Sequence, residues 1–399
     1  MNIAAHEGLL KILGQVSGYI YPNEIEVHWS ILIVVYPYLT GLVAGAFILA
    51  SLVKVFNVTA LKPTYRLALL TALAFLLIAP LPLLLHLGHP LRSWQIFFTP
   101  NLSSAMAMFG FVYAWYLMVV LLLEIWFDYR ADMVNWGQTA KFPLNWLYKI
   151  LSLFSKDVSP RAKVFDKRMV KYITILGIPS AFILHGYVGF IFGSIKANPW
   201  WSSVLIPIVF LFSAIVSGIA LVMLLYMIIT PSRGKPIDMK CLDKIASFLL
   251  YAAIVDFSLE ILDFTHRLYE SEESIKIITD MVVNKLFISL VVLQVLIGMV
   301  IPLGILILTK AAKFNQELRK LLYFVTAILI QIGIFSTRWN VVLGGQMFSK
   351  SLRGLTSYNM EMMGREGFLM ALVLLIAPFF ILAILIKLLP PWGKNPDGE

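Results

Sequence analysis

The chain has 399 residues, 60% of them hydrophobic and only 14% charged, with a formal net charge of +10. A soluble domain carries about 25% charged residues, so this composition excludes an ordinary soluble globular protein and predicts an all-α, polytopic transmembrane helical bundle. A single cysteine, Cys241, excludes iron–sulfur clusters, structural zinc sites and internal disulfides within this chain.

Apolar runs of roughly 20 residues recur from end to end, each long enough to cross a hydrocarbon core of ~30 Å. They predict nine spans, at 30–53, 65–87, 104–127, 169–194, 203–229, 244–264, 284–308, 320–338 and 367–389. The first run follows Glu24 and Glu26 and has no small-residue cleavage site after it, so it reads as a retained helix rather than a signal peptide. Of the 32 lysines and arginines, 22 fall in one set of alternate loops and 10, among them Lys11, in the other. The positive-inside bias therefore predicts an outside N-terminus and a cytoplasmic C-terminus, in the cell (cytoplasmic) membrane. The acidic segment Glu270, Glu272 and Glu273 then falls outside. The basic pI of about 9.5 is a product of topology, and no nucleic-acid partner follows from it.

This reading divides the chain into an extracytoplasmic segment 1–29, a first bundle 30–229, a second bundle 230–389 and a cytoplasmic tail 390–399. In the cytoplasmic loop 128–168, "FPLNWLYKILSLFSK" (142–156) is predicted as an amphipathic helix on the bilayer surface. Gly41, Ala44 and Gly45 in the first span, and Ser213, Ser217 and Gly218 in the fifth, are small residues that let helix backbones approach closely. Trp29, Trp94, Trp200 and Trp201 near span ends read as interface anchors.

Polar groups in the predicted spans are the candidate site. Asp256, Glu260, Asp263 and Arg267 stand at offsets that share one helical face of the sixth span. A charge at mid-membrane costs ~2.5–3.5 kcal/mol or more, so these carboxylates need a proton or a base from another helix, and Arg338 is the candidate. The alternative is an ion-pair network that only fixes helix packing. His185 lies inside the fourth span with Tyr187 close by, whereas His28, His86 and His89 lie at span ends on the outer side. Only His185 is clearly intramembrane, so no facing histidine pair for haem is predicted. Glu124, near the cytoplasmic end of the third span, reads as a headgroup-level residue, with the far end of a proton path as the alternative. The stretch "STRWNVVLGGQMFSKSLRG" (336–354) gathers Arg338, Asn340, Gln346, Lys350 and Arg353 around Gly344 and Gly345. It is either a surface loop or the rim of a site.

Four segments carry a resemblance: "YLTGLVAGAFILAS" in the first span, "HLGHPLRSWQIFFTPNLSSAMAMFGF" (86–111), "GIPSAFILHGYVGFIFGSIKANPWWSSVLIPIVFLFSAIVSGIALV" (177–222) and "RWNVVLGGQMFSKSLRG". Together they resemble the NrfD/polysulfide reductase membrane-subunit family over roughly 30 to 390. The last segment, with "MMGREGFL" after it, is most similar to the DsrP-like branch, which includes the membrane subunit of the DsrMKJOP complex and that of Hdr-like menaquinol oxidoreductase.

The resemblance implies two four-helix bundles plus an extra helix, and a quinone site near the outer face formed without haem or iron–sulfur cluster in this chain. By similarity, quinone-site residues fall on His28 and Tyr187. In many relatives the position of His86 is acidic, so no role is carried over for it. The implied partners are an extracytoplasmic iron–sulfur subunit, a c-type cytochrome, further membrane or cytoplasmic subunits, and membrane lipids. The expected function is a menaquinol-oxidising membrane subunit of an electron-transfer complex linked to sulfur-compound reduction. The head group is expected between the first, second, fourth and sixth spans. Asp263, Glu260 and His185 are the expected catalytic residues; His28, Tyr187, His89, Arg338 and Asn340 are the expected binding residues, and no metal is expected. A secondary transporter and a passive anchor for redox subunits are the rival readings.

Overall fold

A computed structural model describes Gly14 and residues 16–99, 101, 103–270 and 274–392; the side chains of residues 105–107, Arg267, Leu268 and Glu270 are not among what it describes. The expectations for Lys11, Glu272 and Glu273, and for the Arg267 and Glu270 side chains, therefore lie outside the described residues. Among these residues, nine helical spans are long and apolar enough to cross a membrane: α1 (Ile31–Lys54), α2 (Thr59–His86), α3 (Met108–Thr139), α4 (Pro160–Gly193), α5 (Ile206–Ser232), α6 (Met239–His266), α7 (Phe287–Ala311), α8 (Gln316–Gln346) and α9 (Phe368–Leu388). The protein is a multi-pass membrane protein, with every predicted span in place.

The helix ends differ from expectation. Hydropathy ends where charge begins, but a helix ends only where its hydrogen bonding stops. α3 continues well past residue 127 and α4 starts at Pro160, nine residues ahead of the predicted 169. The fork of Arg130 on α3 holds both oxygens of Asp166 on α4, at 2.7–3.1 Å, and also reaches Asp157 O and Ser155. Ser159 caps α4 by accepting from the Ala162 N–H. Between these extensions the surface helix is Leu144–Leu151, shorter than expected. It exposes Leu144, Trp146, Ile150 and Leu151, and Tyr148 ties it to α9 through Leu388 O at 2.8 Å.

Helices α1–α4 pack around α1, which contacts α2 and α4 while α3 lies on α4. Helices α5–α8 repeat the pattern: α5 contacts α6 and α8, and α7 lies on α8. α9 is laid against α2 and α1. The two sets meet chiefly where α1 crosses α5, and there the predicted small residues face one another. A Cβ on Gly218 would fall on the Gly45 backbone, and one on Gly45 on Ala214 O and Gly218. Gly298 and Gly333 make the same backbone contact where α7 crosses α8. Both α3 and α7, the third helix of each set, carry π-helical turns, at Tyr116–Leu122 and Phe287–Val300.

At one end of the molecule, β1 (Ser17–Tyr19) pairs antiparallel with β2 (Arg353–Leu355). At this ribbon end Trp200 and Trp201 depart from the anchor expectation. Their indole N–H groups donate to Asn340 O and Val341 O at 3.0 and 2.7 Å, satisfying carbonyls at the end of α8, and Trp201 stacks on Trp29. The Trp201 indole also covers Gly345, where any Cβ would overlap it. Lys54, Arg66, Asp128 and the Leu144–Leu151 helix mark the opposite end.

Candidate functional site

The α6 carboxylates separate by depth. Asp256 is buried, whereas Glu260 and Asp263 reach a cavity of about 420 Å³ enclosed by α5, α6, α7, α8 and the short helix Ile275–Asn284. Phe210, Phe257, Ile278, Leu290 and Val341 supply apolar walls; Glu260, Asp263, Gln294, Thr337 and Asn340 supply the polar groups.

Those polar groups form an oriented chain. Ser289 Oγ donates to Asn340 Oδ1 at 2.6 Å, Asn340 Nδ2 to Gln294 Oε1 at 2.8 Å, and Gln294 Nε2 to Glu260 Oε2 at 2.9 Å. Each amide spends its acceptor on the side away from Glu260 and its donor toward it. The chain therefore fixes the Glu260 carboxyl and leaves Oε1 without a partner among the described residues. Asp263 Oδ1 accepts from Ser203 Oγ.

Behind the Phe210 wall lies Arg338, fully buried. Its Nη2 donates to Ser213 Oγ at 2.6 Å, to His185 Nε2 at 3.2 Å and to Phe210 O at 3.3 Å, and the guanidinium sits 4.1 Å from the Phe210 ring centre. A guanidinium has only donors, so His185 Nε2 is the acceptor. Nδ1 then carries the hydrogen and faces Thr40 Oγ1 on α1 at 3.3 Å. His185 also stacks on Phe210, with 5.8 Å between ring centres. Arg338 interacts electrostatically with Asp256 and Glu260, the only cation in that group of three. Its Nε and Nη1, together with Asp256 Oδ1, have no hydrogen-bond partner among the described residues.

The structure thus brings Glu260, Asp263 and Asn340 to one cavity and places His185 and Arg338 immediately behind its wall. His28 does not join them. It lines a separate cavity of about 320 Å³ at the ribbon end, with Glu24, Asn198, Gln346 and Lys350. There Glu24 accepts from Ser349 Oγ and the Lys350 N–H at 2.6 and 2.9 Å, and Gln346 takes the Trp29 N–H at 2.9 Å. Tyr187 lies between Phe109 and Phe190, lining neither cavity. His86 pairs with Glu366 at 2.7 Å, and His89 is exposed. Arg353 is exposed on β2. The cavity with the carboxylates is therefore among α5–α8, not between the first, second, fourth and sixth spans. The reason is that α6 turns its acidic face toward α7 and α8, while His185 on α4 touches Arg338 and Phe210 behind it.

Glu124, read from the sequence as a headgroup-level residue or the far end of a proton path, lies in the α1–α4 set. It is fully buried within the protein, and α3 runs on for four further turns beyond it. Sequence reasoning passed over Gln294, Ser289, Phe210 and Ser203. Gln294 had a usable signal, as the one amide inside the apolar run "FISLVVLQVLIGMV". Among the described residues no three metal-binding side chains converge.

These features define a class: an integral membrane protein whose second helix set holds an apolar, carboxylate-tipped cavity of small-molecule size. The chain belongs to the family described as Polysulphide reductase, NrfD, whose profile matches residues 22–350. It is similar to a subunit of the selenate reductase of Mesobacillus selenatarsenatis, with 31% identity over 325 residues, 79% of this chain and 73% of that one. It is also similar to the membrane subunit of a putative dimethyl sulfoxide reductase of Halobacterium salinarum, with 28% identity over 202 residues, 49% of this chain and 42% of that one. Protein NrfD of Escherichia coli is 28% identical over 199 residues, 49% of this chain and 58% of its own length.

Proposed function

We propose that this chain is the quinone-reactive membrane subunit of a multi-subunit reductase-type complex, and that the α5–α8 cavity receives the quinol head group. The observation that carries this reading is the pairing of an apolar volume of about 420 Å³ with Glu260, Asp263 and Asn340 on its lining. A quinol is an aromatic ring with two hydroxyls on a lipid tail, and its oxidation releases two protons and two electrons. The apolar walls suit the ring, and Glu260 and Asp263 are placed to receive the protons. Gln294 holds Glu260 in position. Arg338 and His185, behind Phe210, set the electrostatic field.

The electrons pass to a redox centre in another subunit. The lysine and arginine asymmetry supports an outward-facing ribbon end, so we assign an extracytoplasmic iron–sulfur subunit to that face. Menaquinol as substrate, the DsrP-like branch and a link to sulfur-compound reduction follow from the resemblance of the four segments. Photolabelling of the purified complex with an azidoquinone tests the placement. Label on the α6 and α7 peptides around Glu260 and Gln294 is expected; label confined to α1–α4 would refute it.

A further inference from the structure

Glu124 stands in the other half of the molecule, among α1–α4, and the reaction proposed above does not use it. Its Oε1 faces two hydroxyls, Tyr65 on α2 at 3.0 Å and Thr174 on α4 at 2.8 Å. The Thr174 hydroxyl also lies 2.7 Å from Val170 O. One hydrogen cannot serve both acceptors. Pointed at Glu124, the hydroxyl donates to a carboxylate; pointed at Val170 O, it leaves its oxygen free to accept from a carboxylic acid. The site therefore fits Glu124 with and without a proton. Glu124 Oε2 and the neighbouring Tyr116 hydroxyl are both buried without a partner among the described residues.

A route to solvent runs along the same helix face. Asp128 and Asp132 follow Glu124 at four-residue intervals, one turn apart. Lys54 on α1 sits over the Tyr65 ring, 4.2 Å from its centre, and bonds Asp128 at 2.8 Å. Arg66 on α2 bonds Asp128 at 2.7 Å and Asp132 at 2.8 Å, and the Asp132 side chain is 35% exposed. Carboxylates on α3 and cations on α1 and α2 thus alternate from the surface to one side chain short of Glu124. The π-helical turn Tyr116–Leu122 directly precedes it, a distortion frequent at functional sites.

We infer that Glu124 is a proton-exchange site, loaded from the aqueous phase at the Asp132 end: the Asp132–Arg66–Asp128–Lys54 ion pairs keep a polar face open from solvent to Tyr65, and the Tyr65 hydroxyl gives its proton to Glu124 as it takes one from the aqueous side. The proton comes from that aqueous phase and resides on the Glu124 carboxyl, and Thr174 turns its hydroxyl as the proton arrives. This gives the α1–α4 half a proton-transfer role of its own, at the end of the molecule opposite the ribbon.

The test uses the intact complex in nanodiscs and needs no quinol turnover, so it stands apart from the quinone reading. Dicyclohexylcarbodiimide, which attacks protonated carboxyls in apolar surroundings, should modify Glu124 and leave Asp128 and Asp132 unmodified in peptide mass spectra. Infrared spectra on exchange into D₂O should show a shifting carboxylic-acid band that is lost in Glu124→Gln, and Asp128→Asn should slow that shift. A wild-type Glu124 that takes no label and contributes no exchanging band overturns the proposal. So does an exchange rate that Asp128→Asn leaves unchanged.

Discussion

Arg338 on α8 donates to His185 on α4 at 3.2 Å, so a fully buried guanidinium of the α5–α8 set is held in part by a side chain of the α1–α4 set. The same guanidinium counters Asp256 and Glu260 on α6. Removing one partner of a buried charged group leaves the others uncompensated, which costs about 3–5 kcal/mol. Arg338→Leu should therefore lower the thermal stability of the purified protein sharply, and Arg338→Lys less so. A melting curve of Arg338→Leu that overlays the wild type would show that the two carboxylates do not depend on this cation.

Glu260 and Asp263 line the cavity and are the proton acceptors of the proposed function. Glu260→Gln and Asp263→Asn keep the shape and remove the base. Oxidation of a soluble quinol analogue by the complex should fall by about 10²-fold or more. Turnover near normal in both variants, with subunit composition intact, removes the acceptor role.

Gln294 is expected to matter although it bears no charge. Gln294→Leu deletes the donor to Glu260 Oε2 and strands Asn340 Nδ2, each a loss of about 1–3 kcal/mol when buried. kcat/KM should drop roughly tenfold or more, while Ser289→Ala, two steps further along the chain, should cost less. Equal effects would mean that the chain acts through packing rather than through Glu260.

Tyr187 offers a contrast within the same helix as His185. Tyr187→Phe removes a hydroxyl outside the cavity and should leave the apparent KM for quinol within about twofold, the usual reach of a distant substitution. His185→Ala removes the acceptor for Arg338 and should weaken quinone-site inhibition measurably. A larger effect from Tyr187 than from His185 would move the head group toward α1–α4.

Lys350, whose side chain is 76% exposed at the ribbon end, should crosslink to a redox-active subunit. Lysines of the Leu144–Leu151 region should not. The reverse pattern would invert the assigned orientation.

How much of this was open to sequence reading depends on what each signal measures. Spans were legible because twenty apolar residues in a row have few other uses. The ends of α3 and α4 were not, since Arg130 and Asp166 look like loop residues until each is seen to bury the other. Asp256, Glu260 and Asp263 could be read as one face from their spacing alone. Which helices that face meets depends on Gln294 and Asn340, far away in the chain, and spacing carries no such information. His28 and Tyr187 came from resemblance, and neither lines the α5–α8 cavity of this structure. Glu124 was visible as a membrane carboxylate, but its burial depends on Tyr65 and Thr174, which come from other helices.

The meeting of Gly45 and Gly218 at the centre of the molecule carries a mechanical consequence. Two halves that touch backbone to backbone have no compliant layer between them, because side chains that could slide or repack are missing at that point. Rocking one half over the other, as alternating-access carriers do, would pry apart this backbone-to-backbone joint. A frame so riveted suits traffic in particles that need no gate wider than a hydrogen bond. It also sets a discriminating expectation: locking α1 to α5 with a disulfide near this joint should leave a redox subunit working, and should stop a carrier.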